Sequence, residues 1–286
     1  MSASRAARYA RSMDSSIIAR EAAAALRSPF VPDVLSRLTG AGRYLDIVWP
    51  QLAPSVETAG FLGSALYMAD MALDAAEEVY EPVLGRASLL EGGLREDELR
   101  DVEAALDVFH WVQPQELLLC AALAEAWERP RVGGQGRPDH RVTSEREARH
   151  LATAVELASP DAGVLPDVAE TLQLEAAPEL YRAIARWPRY IEPVWEELQH
   201  LAAYPPFRRR GRALYYYARS SSRFLAQPIE ASRAALAAQG LSEDELALVQ
   251  ATLDAALPAL ATMMMHCCAM RVGLGITARE VVAQTG

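Results

Sequence analysis

Apolar positions return every three or four residues along most of this chain. Leu94, Leu99, Val102, Leu106 and Phe109 fall on one face of a single long helix. Alternating five-residue patterns closed by hairpin turns, the mark of half-buried strands, are missing. Gly and Pro stand between the helical stretches, at Gly40 and Gly42, Gly92 and Gly93, Pro130 to Pro138, Pro205 and Pro206, and Gly240. Ser242 is followed three residues later by Glu245, the spacing of a capping box, which predicts a helix starting there. The least regular stretch runs from Arg129 to about Pro166, and its first part, RPRVGGQGRPDH, reads as a linker. The pattern predicts an all-α protein.

The helical stretches recur. Tyr44-Leu-Asp-Ile-Val-Trp49 returns as Tyr190-Ile-Glu-Pro-Val-Trp195, 146 residues later. Gly63-Ser-Ala-Leu-Tyr67 returns as Gly211-Arg-Ala-Leu-Tyr215, and Gly93-Leu-Arg-Glu-Asp-Glu-Leu99 as Gly240-Leu-Ser-Glu-Asp-Glu-Leu246. Three blocks in one order at a nearly constant offset predict two copies of one helical unit. The expected boundaries are 1–128 for the first repeat, 129–166 for the connection and 167–286 for the second repeat. Two such copies are expected to pack as a pseudo-dimer, with a site between them that draws on equivalent positions of both.

Composition narrows the function classes. The 286 residues are 51% hydrophobic and 23% charged, as in a folded globular protein. A net charge of −10 argues against nucleic acid or an anionic membrane as a partner. Three cysteines, Cys120, Cys267 and Cys268, build no disulfide framework, which suits a reducing, cytoplasmic setting. No apolar run is counted as long enough to span a bilayer, and the N-terminal stretch lacks the apolar core of a secretory signal. The chain holds no lysine and no asparagine, which removes Schiff-base chemistry and the P-loop lysine.

Several stretches together resemble the group I 2-haloacid dehalogenases. They are Leu26-Arg-Ser-Pro-Phe-Val31, Leu117-Leu-Leu119 with Ala122-Leu123, Arg129-Pro-Arg-Val-Gly-Gly134, Trp187-Pro188 and the run from Pro258 to His266. The resemblance spans nearly the whole chain. It implies an all-helical fused pseudo-dimer that displaces halide from C2 of short haloacids by direct attack of an activated water. It implies a small-molecule substrate, no cofactor and a homodimer.

The same resemblance locates a departure. Seven residues before Trp187, where the family carries its water-activating aspartate, stands Leu180. Gln113, before Pro114, takes the place of a water-holding asparagine, and Phe30 keeps an aromatic wall position. Glu179 adjoins the lost base, and Asp33 is its mate at the repeat offset. These two are the candidate catalytic carboxylates, with Gln113 beside them. Two carboxylates in a dry pocket separate their pKa values and suit acid–base work. The alternative is that both point to solvent, one step round their helices. Phe30, His110, Trp111, Glu116, Leu180 and Tyr181 are the candidate substrate-binding residues. Pro114 is expected to bend the helix and aim Gln113 and Glu116 inward.

Three further motifs have bland readings. Met263-Met-Met-His-Cys-Cys268 aligns with Leu117-Leu-Leu-Cys120 as a core helix, in which His266 is buried and structural. Arg208-Arg-Arg-Gly-Arg212 is the one basic cluster, and Tyr215 repeats Tyr67. No metal-ligand spacing occurs, so no metal is expected. Two function classes follow: an enzyme on a small carboxylate, by displacement, elimination or hydrolysis, or a protein that kept the fold and lost the chemistry.

Overall fold

Helix propensity and the three-to-four spacing are realised along almost the whole chain. The computed structural model describes residues 15–277, except for the side chain of residue 146. The helices are α1 (15–25), α2 (Asp33–Leu38), α3 (Tyr44–Val56), α4 (Ala59–Val79), α5 (Arg86–Glu91) and α6 (Glu96–Glu128). Then come α7 (Glu145–Ala152), α8 (Leu165–Thr171), α9 (Glu179–Ile184), α10 (Pro188–Leu198), α11 (Pro205–Ser221), α12 (Arg233–Ala238) and α13 (Glu243–Gly273). The strands among the described residues are β1 (Val132–Gly133) and β2 (Pro228–Ile229), paired antiparallel. The fold is all-α.

The described residues divide into two compact units. The first holds residues up to Leu66, Gln115–Leu151 and Tyr215–Ala259; the second holds Tyr67–Pro114, Ala152–Leu214 and residues from Leu260. Leu26, Leu35, Leu38, Tyr44 and Val56 lie in the core of the first. Met68, Leu73, Leu99, Phe109, Tyr181, Tyr190 and Phe207 lie in that of the second.

Helix ends follow local chemistry. The Ser242 capping box forms as expected: the Glu245 N–H donates to Ser242 Oγ at 3.3 Å, and the Ser242 N–H donates to Glu245 Oε2 at 2.7 Å. The α5 and α12 helices end on Gly93 and Gly240 in the left-handed region, at φ 92° and 94°. The α1 and α8 helices end in the same kind of turn without glycine: Arg27 and Gln173 both sit at φ 56°.

Three expectations are corrected. Pro114 does not break its helix; α6 runs unbroken for 33 residues. Residues 108–126 are buried without interruption, and packing on every side outweighs the roughly 3 kcal/mol that an interior proline costs an isolated helix. The stretch from Arg129 to Pro138 is not a loose tether. Gly134 and Gly136 donate to the Leu225 carbonyl at 2.8 and 3.2 Å, and a Cβ on Gly133 would come within 2.7 Å of the Gln227 carbonyl oxygen. Finally, α13 has the length and apolar composition of a membrane span, at mean hydropathy 1.4. Its residues 263–271 are buried within the protein.

Candidate functional site

The segment around Leu180 lies in the second unit. Pro178, extended at φ −61° and ψ 156°, cannot continue a preceding helix and so starts α9 after it. This phase places Glu179 in the first turn, half-buried, while Leu180, Tyr181, Ala183 and Ile184 turn inward. Leu180 and Tyr181 are both fully buried.

Tyr181 anchors a polar chain through the core of this unit. Its Oη lies 2.5 Å from Nδ1 of His266 on α13. Its ring meets Trp195 edge-on at 5.3 Å, and Phe207 meets the His266 ring in the same manner at 5.4 Å. Trp195 Nε1 donates to Asp167 Oδ2 at 2.5 Å. Burial lowers the His266 pKa to about 4 and holds the Tyr181 phenol well above its usual value, so both are neutral near pH 7. The phenol and Nδ1 therefore share a single hydrogen bond between two neutral groups. Nε2 is buried with no hydrogen-bond partner among the described residues.

The α6 candidates nearby in sequence are all buried. His110 Nδ1 lies 3.7 Å from the Cys268 thiol, which burial holds well above the usual thiol pKa. That thiol is neutral, so it is neither a nucleophile nor a thiolate ligand. Trp111 is buried, and Gln113 Oε1 is buried with no hydrogen-bond partner among the described residues. No three His, Cys, Asp or Glu side chains among the described residues come together as a metal site requires.

Phe30, Asp33 and Glu116 belong to the first unit. Phe30 is half-buried, and its backbone is held by Ser28: Ser28 Oγ donates to the Phe30 carbonyl at 2.6 Å and accepts from the Phe30 N–H at 3.3 Å. Glu116 is buried on α6. Asp33, in the first turn of α2, is exposed. The two candidate carboxylates therefore fall in different units with unequal burial, Asp33 in water and Glu179 half-covered.

The first unit also buries a charged knot that no sequence pattern singled out. Arg141 Nε and Nη2 donate to Glu147 Oε1, the former at 2.7 Å, and both side chains are fully buried. Arg141 Nη1 donates to Gln115 Oε1 at 3.0 Å, and Gln115 Nε2 donates to the Leu26 carbonyl at 3.1 Å. Glu147 Oε2 accepts from the Ser144 N–H at 2.5 Å, and the Ser144 hydroxyl accepts from the Glu147 N–H at 3.2 Å. Burial alone would raise the Glu147 carboxyl, but the Ser144 and Arg141 donors outweigh it and hold the group below its usual value. Arg27 reaches toward the knot at 4.0 Å from Glu147 and pairs with Glu57 at 3.4 Å. The one legible signal was Ser144-x-x-Glu147, a second capping box inside the segment that read as irregular.

Comparison with known proteins points in one direction. No protein-family model matches the chain. It is 28% identical over 177 residues to a configuration-inverting 2-haloacid dehalogenase of Pseudomonas sp. (strain 113), covering 58% of this chain and 57% of that protein. It is 25% identical over 197 residues to an (R)-2-haloacid dehalogenase of Pseudomonas putida, covering 64% and 63%. The chain thus spans about three fifths of the length of these curated relatives. Among solved structures, a D-2-haloacid dehalogenase mutant superposes at a TM-score of 0.79 with 21% identity, over 90% of this chain and 91% of that one. A D-2-haloacid dehalogenase in complex with L-LA matches at the same score and identity, over the same shares of the two chains. In sequence, over part of its length, and in fold, the chain is similar to 2-haloacid dehalogenases.

Proposed function

We propose that this protein is an enzyme of the dehalogenase type that acts on a small carboxylate, 2-haloacids foremost. The observation that carries the reading is the joint likeness, in sequence to two curated dehalogenases and in fold to a third. The chemistry assigned is hydrolysis with Glu179 as base. Glu179 takes a proton from water, the oxygen attacks C2 from the side opposite the halogen, and halide leaves as the C–O bond forms. Half-burial of Glu179 beside a fully buried Leu180 supports the choice, since Leu180 offers no group that could accept a proton.

The two-repeat reading is part of this proposal. Helices recur at a nearly constant offset: α2 and α9, α3 and α10, α4 and α11, α5 and α12, α6 and α13. Left-handed residues recur with them, Arg27 with Gln173 and Gly93 with Gly240. Each unit also takes one segment from the other half of the chain, Tyr215–Ala259 in the first and Tyr67–Pro114 in the second. The same reading expects a homodimer, which light scattering on the purified protein checks.

The test is halide release from both enantiomers of 2-chloropropionate and 2-bromopropionate, from neutral to alkaline pH. Glu179→Gln is expected to cut release by about 100-fold or more, the usual share of a general base. Leu180→Asp is expected to raise it, provided circular dichroism shows a folded protein. Release untouched by Glu179→Gln removes Glu179 from the mechanism. A wild-type protein that releases no halide supports the other reading, favoured by the apolar Leu180, of a binding protein without hydrolytic chemistry.

A further inference from the structure

We infer that Arg141 and Glu147 are positioning residues that fix the Leu26–Phe30 turn and so set how tightly substrate is held. The inference rests on the reading of Phe30 as a wall of the substrate site. Between α1 and α2 the chain turns sharply through Arg27, left-handed at φ 56°, a backbone conformation that costs an arginine some strain. The backbone closes the turn itself, with the Ser28 N–H donating to the Ala23 carbonyl at 2.9 Å and the Arg27 N–H to the Ala24 carbonyl at 3.0 Å.

What holds the turn in place comes from over a hundred residues away. Arg141 Nη1 reaches the Ala25 carbonyl at 3.5 Å and, through Gln115, the Leu26 carbonyl. Glu147 draws in the Arg27 guanidinium from the same side. Every one of these groups lies in the first unit. Arg141 and Glu147 have no exposure to water, so the pair is not screened, and their geometry is fixed from two directions by Ser144 and Gln115. Ser28 then transmits the placement to Phe30 through its two hydrogen bonds. A pair needed only for folding could lie anywhere in the core; this one converges on the carbonyls that lead into Phe30.

The experiment uses the full chain and three variants: Arg141→Lys, Arg141→Met, and Arg141→Met with Glu147→Met, the last leaving no unpaired charge inside. Amide hydrogen exchange at residues 26–30 reports the turn directly. Halide release from 2-bromopropionate is measured alongside. In the double variant the amides of Ser28 and Phe30 are expected to lose protection while the core of α6 keeps its own. KM is expected to rise roughly tenfold at nearly constant kcat, the pattern of lost uniform binding. Arg141→Lys, which keeps the charge, is expected to recover part of both. Protection unchanged at Ser28 and Phe30 overturns the inference, whatever the activity does. So does lost protection with KM unchanged. If the wild type releases no halide, the assigned chemistry fails separately, and the Kd for lactate, read by tryptophan fluorescence, takes the place of KM. A Kd that the double variant leaves unmoved then overturns the positioning role.

Discussion

The two units bury polarity in opposite ways. The first encloses a full ion pair, Arg141 with Glu147, in which almost every donor and acceptor is used. The second encloses a neutral pair, Tyr181 with His266, and leaves Nε2 of the imidazole without a partner among the described residues. One repeat offset before Tyr181 stands Leu35, and the stretch that aligns with the one around His266 is Leu117-Leu-Leu-Cys120, all buried. On the proposed two-repeat reading, the first half of the chain fills with apolar side chains what the second half fills with a phenol and an imidazole. Leucines fill a core at least cost. The second half departs from that solution in the residue right after Leu180.

The comparison can be broken at its charged end first. Glu147→Ala leaves a buried guanidinium unpaired and is expected to cost about 3–5 kcal/mol, read by urea unfolding. Arg141→Met with Glu147→Met should return most of that, because an apolar pair of similar volume forgoes the desolvation penalty. A double variant as weak as the single one would mean that the charge itself, not its balance, holds the unit.

At the neutral end the lever is pH. The folded His266 pKa of about 4 lies below its ordinary 6.5, so the unfolded chain binds the proton more readily. The contribution is fully present above pH 6.5 and is lost as the pH falls through 4; the difference is about 3 kcal/mol. Tyr181→Phe with His266→Leu, which imitates the leucine solution, should flatten the stability profile between pH 6.5 and 4. An unchanged slope would assign the acid sensitivity to other groups. The Arg141–Glu147 pair contributes on the acid side as well: the lowered Glu147 pKa loses its share only as the pH falls below the ordinary carboxylate range.

The smallest expected effect separates the two left-handed turns. Gln173→Gly should stabilise by about 1 kcal/mol, because glycine carries no penalty at φ 56° and the glutamine side chain is exposed. Arg27→Gly relieves the same strain but gives up the Glu57 and Glu147 contacts, and should gain less or lose. Equal gains at both positions would show that Arg27 contributes nothing through its charge. Thermal unfolding of the two variants reads the difference.

The helices were legible because burial is periodic and local, and so was the Ser242 cap. Pro114 misled, because the local cost of a proline is visible in sequence while burial on all faces of α6 is not. The RPRVGGQGRPDH stretch misled in the opposite direction. Its glycines answer to a close approach from Leu225 and Gln227 rather than to flexibility. Of the candidate residues, Leu180 and Tyr181 fall within one turn of α9. The partner of Tyr181 lies 85 residues on, and no local pattern links them. Arg141 was invisible for the same reason: Gln115 is 26 residues away and the Leu26 carbonyl still further.

The interleaving of segments has a consequence for how the polypeptide can be cut. Pro160 and Asp161 are exposed, and a Cβ on Gly163 would meet nothing within 4 Å, so the backbone there tolerates new termini. A break at that point yields two fragments, and neither contains a complete unit: the first unit would lack Tyr215–Ala259, and the second would lack Tyr67–Pro114. Each fragment would be a folding partner for the other and poorly folded alone. Expressed together they should reassemble at a rate that depends on concentration, turning a unimolecular folding reaction into an association.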